Sequence, residues 1–153
     1  MESKCEIDKD GTKRWKNELG NLHRVDGPAI EHENGCKCWC INGELHREDG
    51  PAVEYPSGDK EWHFCGKRHR VDGPAFSHAD GTKEWYINGK RHREDGPAIE
   101  YANGSKYWCI NGLMHREDGP AIEYADGSEY WWLHGEQVVS FKDHSLVWQK
   151  EGF

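Results

Sequence analysis

Polar and apolar residues alternate in short runs along this chain. In Pro97-Ala-Ile-Glu-Tyr-Ala and again in Ser105-Lys-Tyr-Trp-Cys-Ile the period is two, not 3.6. That is the signature of β-strands with two unlike faces. Asn103-Gly104 separates the two runs. A type I′ turn needs positive φ at both central residues, so Asn-Gly between β-prone runs is the strongest short hairpin signal. Asn34-Gly35, Ser57-Gly58, Asp80-Gly81 and Asp126-Gly127 sit at equivalent places. A two-residue turn sets Ala102 opposite Ser105, Glu100 opposite Tyr107 and Ile99 opposite Trp108. One face then carries Ile99, Tyr101, Trp108 and Ile110, and the other Ala98, Glu100, Tyr107 and Cys109. A slip of one residue would invert both faces.

The hairpin belongs to a repeat. His-Arg recurs at His23-Arg24, His46-Arg47, His69-Arg70, His92-Arg93 and His115-Arg116, and Asp-Gly-Pro-Ala follows two residues later each time. Trp39, Trp62, Trp85, Trp108 and Trp131 keep the same 23-residue step. Self-similarity at such a period marks a stacked array. The His-Arg-x-Asp-Gly segment reads as a connector. Asp bonds its local backbone there, Gly is expected to supply a special φ, and Pro opens the next strand without donating a hydrogen bond. The expected fold is all-β: an elongated, antiparallel, single-sheet array of 23-residue hairpin repeats forming one domain over 1–153. Residues 1–22 form an N-terminal half-unit and 23–137 five repeats. Residues 138–153 form a C-terminal cap, where Val138-Val139 replaces His-Arg. Ser140 as N-cap, Asp143 at the capping-box position, and Phe141, His144 and Trp148 on one side predict a short helix over 140–150.

Composition narrows the function classes. Hydrophobic residues make up only 35% of the 153, but eight Trp and six Tyr are among them. Each aromatic buries about 150–250 Å², so the Trp column is expected to act as the core. The net charge of −8 argues against a phosphate-backbone binder, which needs a basic footprint. No apolar run approaches a membrane span, and the N-terminus shows no signal-peptide pattern. A cytoplasmic protein with reduced thiols is the expectation.

The stretch Tyr/Trp-x-x-Asn-Gly-Lys-x-His, followed by Gly and then Asp/Asn-Gly before the next aromatic, resembles the MORN repeat over about residues 10–135. The Asp-Gly-Pro-Ala form is similar to a variant associated with bacteriophage and bacterial genomes. His-Arg-x-Asp-Gly-Pro stands where that family usually has His-Gly-x-Gly. The resemblance implies an elongated sheet scaffold used for protein contacts.

Candidate chemistry divides into repeated and unique residues. His-Arg-x-Asp has catalytic residue types, but it occurs five times, with copies about 10 Å apart. The expected role is structural: Asp caps a turn, Arg pairs with Asp or lies over an indole, and His packs in the connector. The competing role is a ladder of donors for an acidic or phosphorylated ligand. Cys36, Cys38 and Cys40 suggest zinc. In one strand, however, successive thiols lie about 6.6–6.8 Å apart, and convergence on an ion would need a bend or bulge. Ordinary thiols are therefore expected, with no metal or cofactor. Ser77, His78 and Asp80 have triad composition, but adjacent strand residues point to opposite faces. Phe76-Ser77-His78 and Cys65 break the repeat consensus, so they mark where specificity is written on the scaffold.

These readings favour a non-enzymatic protein-binding module; the resemblance implies a sharper form, a phage-encoded inhibitor of a bacterial host defence protein acting in the host cytoplasm. The candidate binding residues are Arg47, His69, Arg70, Phe76, His78, His92, Arg93 and Arg116, carried on the structural ladder of Trp39, Trp62, Trp85, Trp108 and Trp131. No nucleic acid or membrane partner is expected, and a homodimer is left open. The alternative is a small-ligand or nucleotide-sequestering protein. An enzyme ranks last, since no unit-specific nucleophile–base pair or phosphate loop is visible.

Overall fold

The computed structural model describes residues 3–140 and 146–148. Among them there is no helix, and hence none long and apolar enough to cross a membrane. Fourteen strands form one antiparallel sheet in which spatial order follows chain order, and four small two-stranded sheets stand beside it. The all-β, single-sheet array of short hairpins expected from the alternation is what forms.

Each unit contributes two hairpins. In the fourth, Ile99–Glu100 pairs with Lys106–Tyr107 in the long sheet, and Cys109–Ile110 pairs with Leu113–Met114 in a small one. The break falls at Trp108, which ends the ladder strand: its N–H donates to the Ala121 carbonyl of the next unit at 2.8 Å. Trp15, Trp39, Trp62 and Trp85 bond Ala29, Ala52, Ala75 and Ala98 in the same way. All five alanines are fully buried, and close packing leaves little room for a longer side chain there.

The register corrects the expected turns. Ile99 faces Tyr107 and Glu100 faces Lys106, and the Tyr101 N–H donates to the Ser105 carbonyl. Ala102-Asn103-Gly104 is therefore a three-residue loop. Only Gly104 has positive φ there, at 93°, the geometry of a type I turn closed by a bulge glycine. The Asn103 carboxamide accepts the Ser105 N–H at 2.9 Å, as Asn34, Asp80 and Asp126 do for Cys36, Thr82 and Ser128. The type I′ turns lie in the second hairpins instead: Asn42-Gly43, Cys65-Gly66, Asn88-Gly89, Asn111-Gly112 and His134-Gly135 all have positive φ at both residues. The shift of one residue moves Tyr107 to the side of Ile99 and Tyr101, not to that of Glu100.

Both faces of the ladder gain cover. Side chains from the second hairpins, Arg68 and Arg91, reach Glu61 and Glu84 on one face. On the other, connector arginines reach Glu54, Glu100 and Glu123. The indole column is not the core: all five ladder tryptophans are half-buried. The fully covered apolar positions are the alanines together with residues such as Val53, Ile99, Cys40 and Cys109.

The ends vary the unit. Lys4–Ile7 and Lys13–Lys16 form the first ladder hairpin. The extra residue before Gly20 enlarges the following turn, where Asn17 bonds Asn21 and Gly20 bonds Asn17. At the far end Glu129–Leu133 runs on through Trp131 without a break and pairs with Glu136–Ser140. Leu146–Trp148 then pairs with the latter. Strand thus replaces the expected cap helix at Ser140 and Leu146–Trp148. The rest of that helix lies outside the described residues.

Candidate functional site

Within each connector the arginine is held from several sides. Arg24, Arg47, Arg70, Arg93 and Arg116 lie over Trp15, Trp39, Trp62, Trp85 and Trp108, with the guanidinium carbon 4.1–4.2 Å from the ring centroid. In each case Nε donates to the aspartate two residues on and Nη1 to the proline carbonyl four residues on, as in Arg93 to Asp95 and Pro97. The side-chain bond from Arg93 holds the exposed Asp95 carboxyl below its usual range. A Cβ on the glycine of Asp-Gly-Pro-Ala would stand 2.8–3.1 Å from the guanidinium carbon. The glycine is there to leave room for the arginine.

The histidine ties the connector to the second hairpin of its own unit. Nδ1 of His23, His46, His69, His92 and His115 accepts the N–H of Asn42, Cys65, Asn88, Asn111 and His134 at 3.1–3.2 Å. Each of these donors is the first positive-φ residue of the neighbouring I′ turn. An accepting Nδ1 fixes the Nε2–H tautomer. The His-Arg-x-Asp motif therefore makes the same internal bonds in every unit, with Arg both paired to Asp and stacked on Trp.

The candidate binding residues fall into two groups. Arg47, His69 and Arg70 line a groove of about 350 Å³ between the second and third connectors. Arg70, His92 and Arg93 line the next groove, and Arg93 and Arg116 the one after. Phe76 and His78 belong to the ladder instead, where their rings stack 3.8 Å apart. His78 Nε2 lies 3.1 Å from Glu84, and the Asp80 carboxylate accepts the Thr82 N–H. Ser77, His78 and Asp80 do not assemble as a triad.

The first groove differs from the others. Arg24, Arg47, Arg93 and Arg116 each also reach a glutamate through Nη1. Ser77 stands where Arg70 would find that partner, so Arg70 keeps only Asp72 and the Pro74 carbonyl among the described bonds. Phe64, 47% exposed, replaces the usual isoleucine and lies between His46 and His69, with centroids 4.8 and 6.0 Å away. Val71, 83% exposed, lines the same groove. Phe64 and Val71 escaped the sequence reading. Comparing each column across the five units would have flagged Phe64.

On the ladder face two acid clusters repeat. Glu61 accepts from the Tyr55 hydroxyl at 2.9 Å and from Arg68 Nε at 2.8 Å, and lies 2.9 Å from His63 Nε2. Glu84 makes the equivalent set with Tyr86, Arg91 and His78. Burial pushes the Glu61 pKa up, but the bonds from His63, Arg68 and Tyr55 outweigh it and bring it to about 2. His63 Nδ1 is buried with no partner.

The first unit replaces this cluster with thiols. His32, Cys36 and Cys38 bring one ligand atom each within 4.8 Å of one another. The strand breaks at Trp39, so Cys38 and Cys40 belong to different hairpins, and the uniform strand spacing that would separate the three thiols does not apply. Burial and the neighbouring Cys36 push the Cys38 thiol up to about 12, and burial pushes Cys40 to about 11.

The chain matches no protein-family model and no curated protein.

Proposed function

We propose that this chain is a non-enzymatic, protein-binding repeat module whose contact site is the groove between the second and third connectors. One observation carries the reading: an exposed aromatic, Phe64, shares this groove with Arg70, the one connector arginine lacking its glutamate. Aromatic and arginine side chains dominate the energetics of protein interfaces, and a guanidinium with free donors recognises a carboxylate. The partner chemistry that fits is a carboxylate beside an apolar side chain on a protein surface.

A non-enzymatic role is supported by the histidines and arginines themselves, which are engaged in holding the connectors to the hairpins. The resemblance to a repeat variant of phage and bacterial genomes supports a bacterial host protein as partner, met in the cytoplasm, with inhibition of a defence protein as the sharper form. The test compares the wild-type chain with Phe64→Ser/Arg70→Glu as baits in bacterial lysate. A stoichiometric partner recovered by the wild type and lost by the double variant is expected. Equal recovery by both baits, or no stoichiometric partner, refutes the groove.

The alternative of nucleotide sequestration draws on the same arginines over indole rings. It predicts stabilisation in a thermal-shift screen with nucleotides. No shift removes it.

A further inference from the structure

We propose that the first unit holds a zinc ion on His32, Cys36 and Cys38, with Cys40 as the fourth ligand. The inference does not rest on the protein-binding reading, and none of these residues lines the groove assigned to it.

Equivalent positions in the other units show what the first unit lacks. Asp59, Thr82 and Ser105 each use a side-chain oxygen to accept a backbone N–H from the next unit, that of Ala79, Ala102 or Ala125, at 2.7–3.1 Å. In the first unit both halves of that bond are gone. Cys36 replaces the oxygen acceptor, and the donor position is Pro56, which has no N–H. Cys36 is thus released from the joint it would otherwise make. The next position tells the same story. Cys38 stands where the second and third units carry Glu61 and Glu84, and Leu45 replaces Arg68 and Arg91, which balance those acids. A carboxylate with its arginine has become a thiol with none.

The same comparison places Cys40. Its counterparts His63 and Tyr86 lie within 2.9 Å of Glu61 and Glu84, the counterparts of Cys38. Position 40 therefore faces position 38. His32 lies across the three-residue loop from Cys36, its N–H donating to the Cys36 carbonyl at 2.9 Å. Two ladder strands thus bring one imidazole and two thiols together, and the start of the second hairpin supplies Cys40, whose thiol turns in to complete a Cys3His set of the kind found in structural zinc sites. Ligand atoms within 4.8 Å need close by only about 1 Å to reach the spacing that tetrahedral bonds of about 2.1–2.3 Å impose. Binding exchanges the thiol protons of Cys36, Cys38 and Cys40 for the metal, the protons leaving to solvent.

The test uses the full chain, stripped with a chelator and kept reduced. Zinc is titrated against a chromophoric chelator, and cobalt(II) serves as a spectroscopic probe. One equivalent of zinc is expected, with intense visible bands of tetrahedral cobalt and thiolate-to-cobalt charge transfer in the near ultraviolet. Cys36→Ser and Cys38→Ser should each weaken zinc by more than about tenfold and reduce the charge-transfer band. Cys5→Ser/Cys65→Ser should bind as wild type. Melting of the metal-free Cys36→Ser and Cys38→Ser chains at the wild-type temperature excludes misfolding as the cause. If either melts lower, His32→Gln carries the test, and it should weaken zinc while leaving the thiolate band in place. No zinc uptake, weak six-coordinate cobalt bands, or binding that survives these substitutions overturns the assignment. A charge-transfer band raised by copper(I) but no binding of zinc overturns the choice of metal.

Discussion

Replacing Gly96 with alanine tests why the connector carries Asp-Gly-Pro-Ala. Gly96 does not have positive φ, so conformational freedom does not demand a glycine here. The demand is spatial: a Cβ would stand 3.0 Å from the guanidinium carbon of Arg93 and 3.1 Å from its Nε. Alanine must therefore push the guanidinium off Trp85, where it lies 4.1 Å from the ring centroid. It also disturbs the Nη1 bonds to the Pro97 carbonyl at 3.3 Å and to Glu100 at 2.8 Å. A partly desolvated cation–π contact contributes about 1 kcal/mol and the bond to the carbonyl about 1 kcal/mol. The partly exposed ion pair adds a few tenths. Arg93→Ala should then cost about 2–3 kcal/mol, and Gly96→Ala about 1–2 kcal/mol because the arginine partly relaxes. In the Arg93→Ala background the clash is gone. There Gly96→Ala should be neutral, or stabilising by about 0.4–1 kcal/mol through the unfolded chain. Urea denaturation of the four proteins closes the cycle, with an interaction energy of at least about 1 kcal/mol. An equal cost of Gly96→Ala in both backgrounds would refute the account and return the glycine to a backbone role.

Three further outcomes follow from the geometry. Glu61, about 2 in the folded chain against an ordinary 4.5, contributes stability that is complete above about pH 4.5 and lost as pH falls towards 2. Acid titration of unfolding should show a loss of about 3 kcal/mol over that window, and Glu61→Gln should remove it. His92→Ala withdraws the acceptor of the Asn111 N–H. It should cost about 1 kcal/mol and speed hydrogen exchange at that amide, and an unchanged rate would contradict the joint. Cys65 holds φ 47° in a turn where Asn42, Asn88 and Asn111 hold 51–52°. Cys65→Asn should raise the melting temperature by roughly 2–4 °C, and a fall would show that the thiol itself stabilises the turn.

Much of the fold was legible because its signals are local. Period-two alternation and a constant step of 23 leave little choice but hairpins in series. The register was not legible, for a physical reason. Each unit carries two turn signals of the same kind, such as Asn103-Gly104 and Asn111-Gly112. The dipeptide does not state whether two or three residues close the loop. The difference lies in Asn103, whose side chain caps the N–H of Ser105, and in His92, which demands the N–H of Asn111. Tyr107 went to the wrong side for that reason. The spacing of the thiols was misread because alternation assumes a continuous strand, and the chain breaks at Trp39. Nothing in Cys-Trp-Cys announces that break. It comes from Trp39 donating to Ala52 of the following unit. The structural role of His-Arg-x-Asp was readable from its fivefold recurrence alone. The groove at Phe64 and Arg70 depends on a missing partner, Ser77 for glutamate, which matters only once the arginine's other contacts are known.

Among the described residues, bonds between units link a residue to one in the adjoining copy, as with Gly89 to Arg68 and Gly112 to Arg91. A chain joined in this manner has no keystone. Excising 23 consecutive residues from the middle would bring two compatible edges together and leave a shorter rod with the same joints. Stability should then rise in near-equal increments with the number of copies, and the outermost copies should open first on warming.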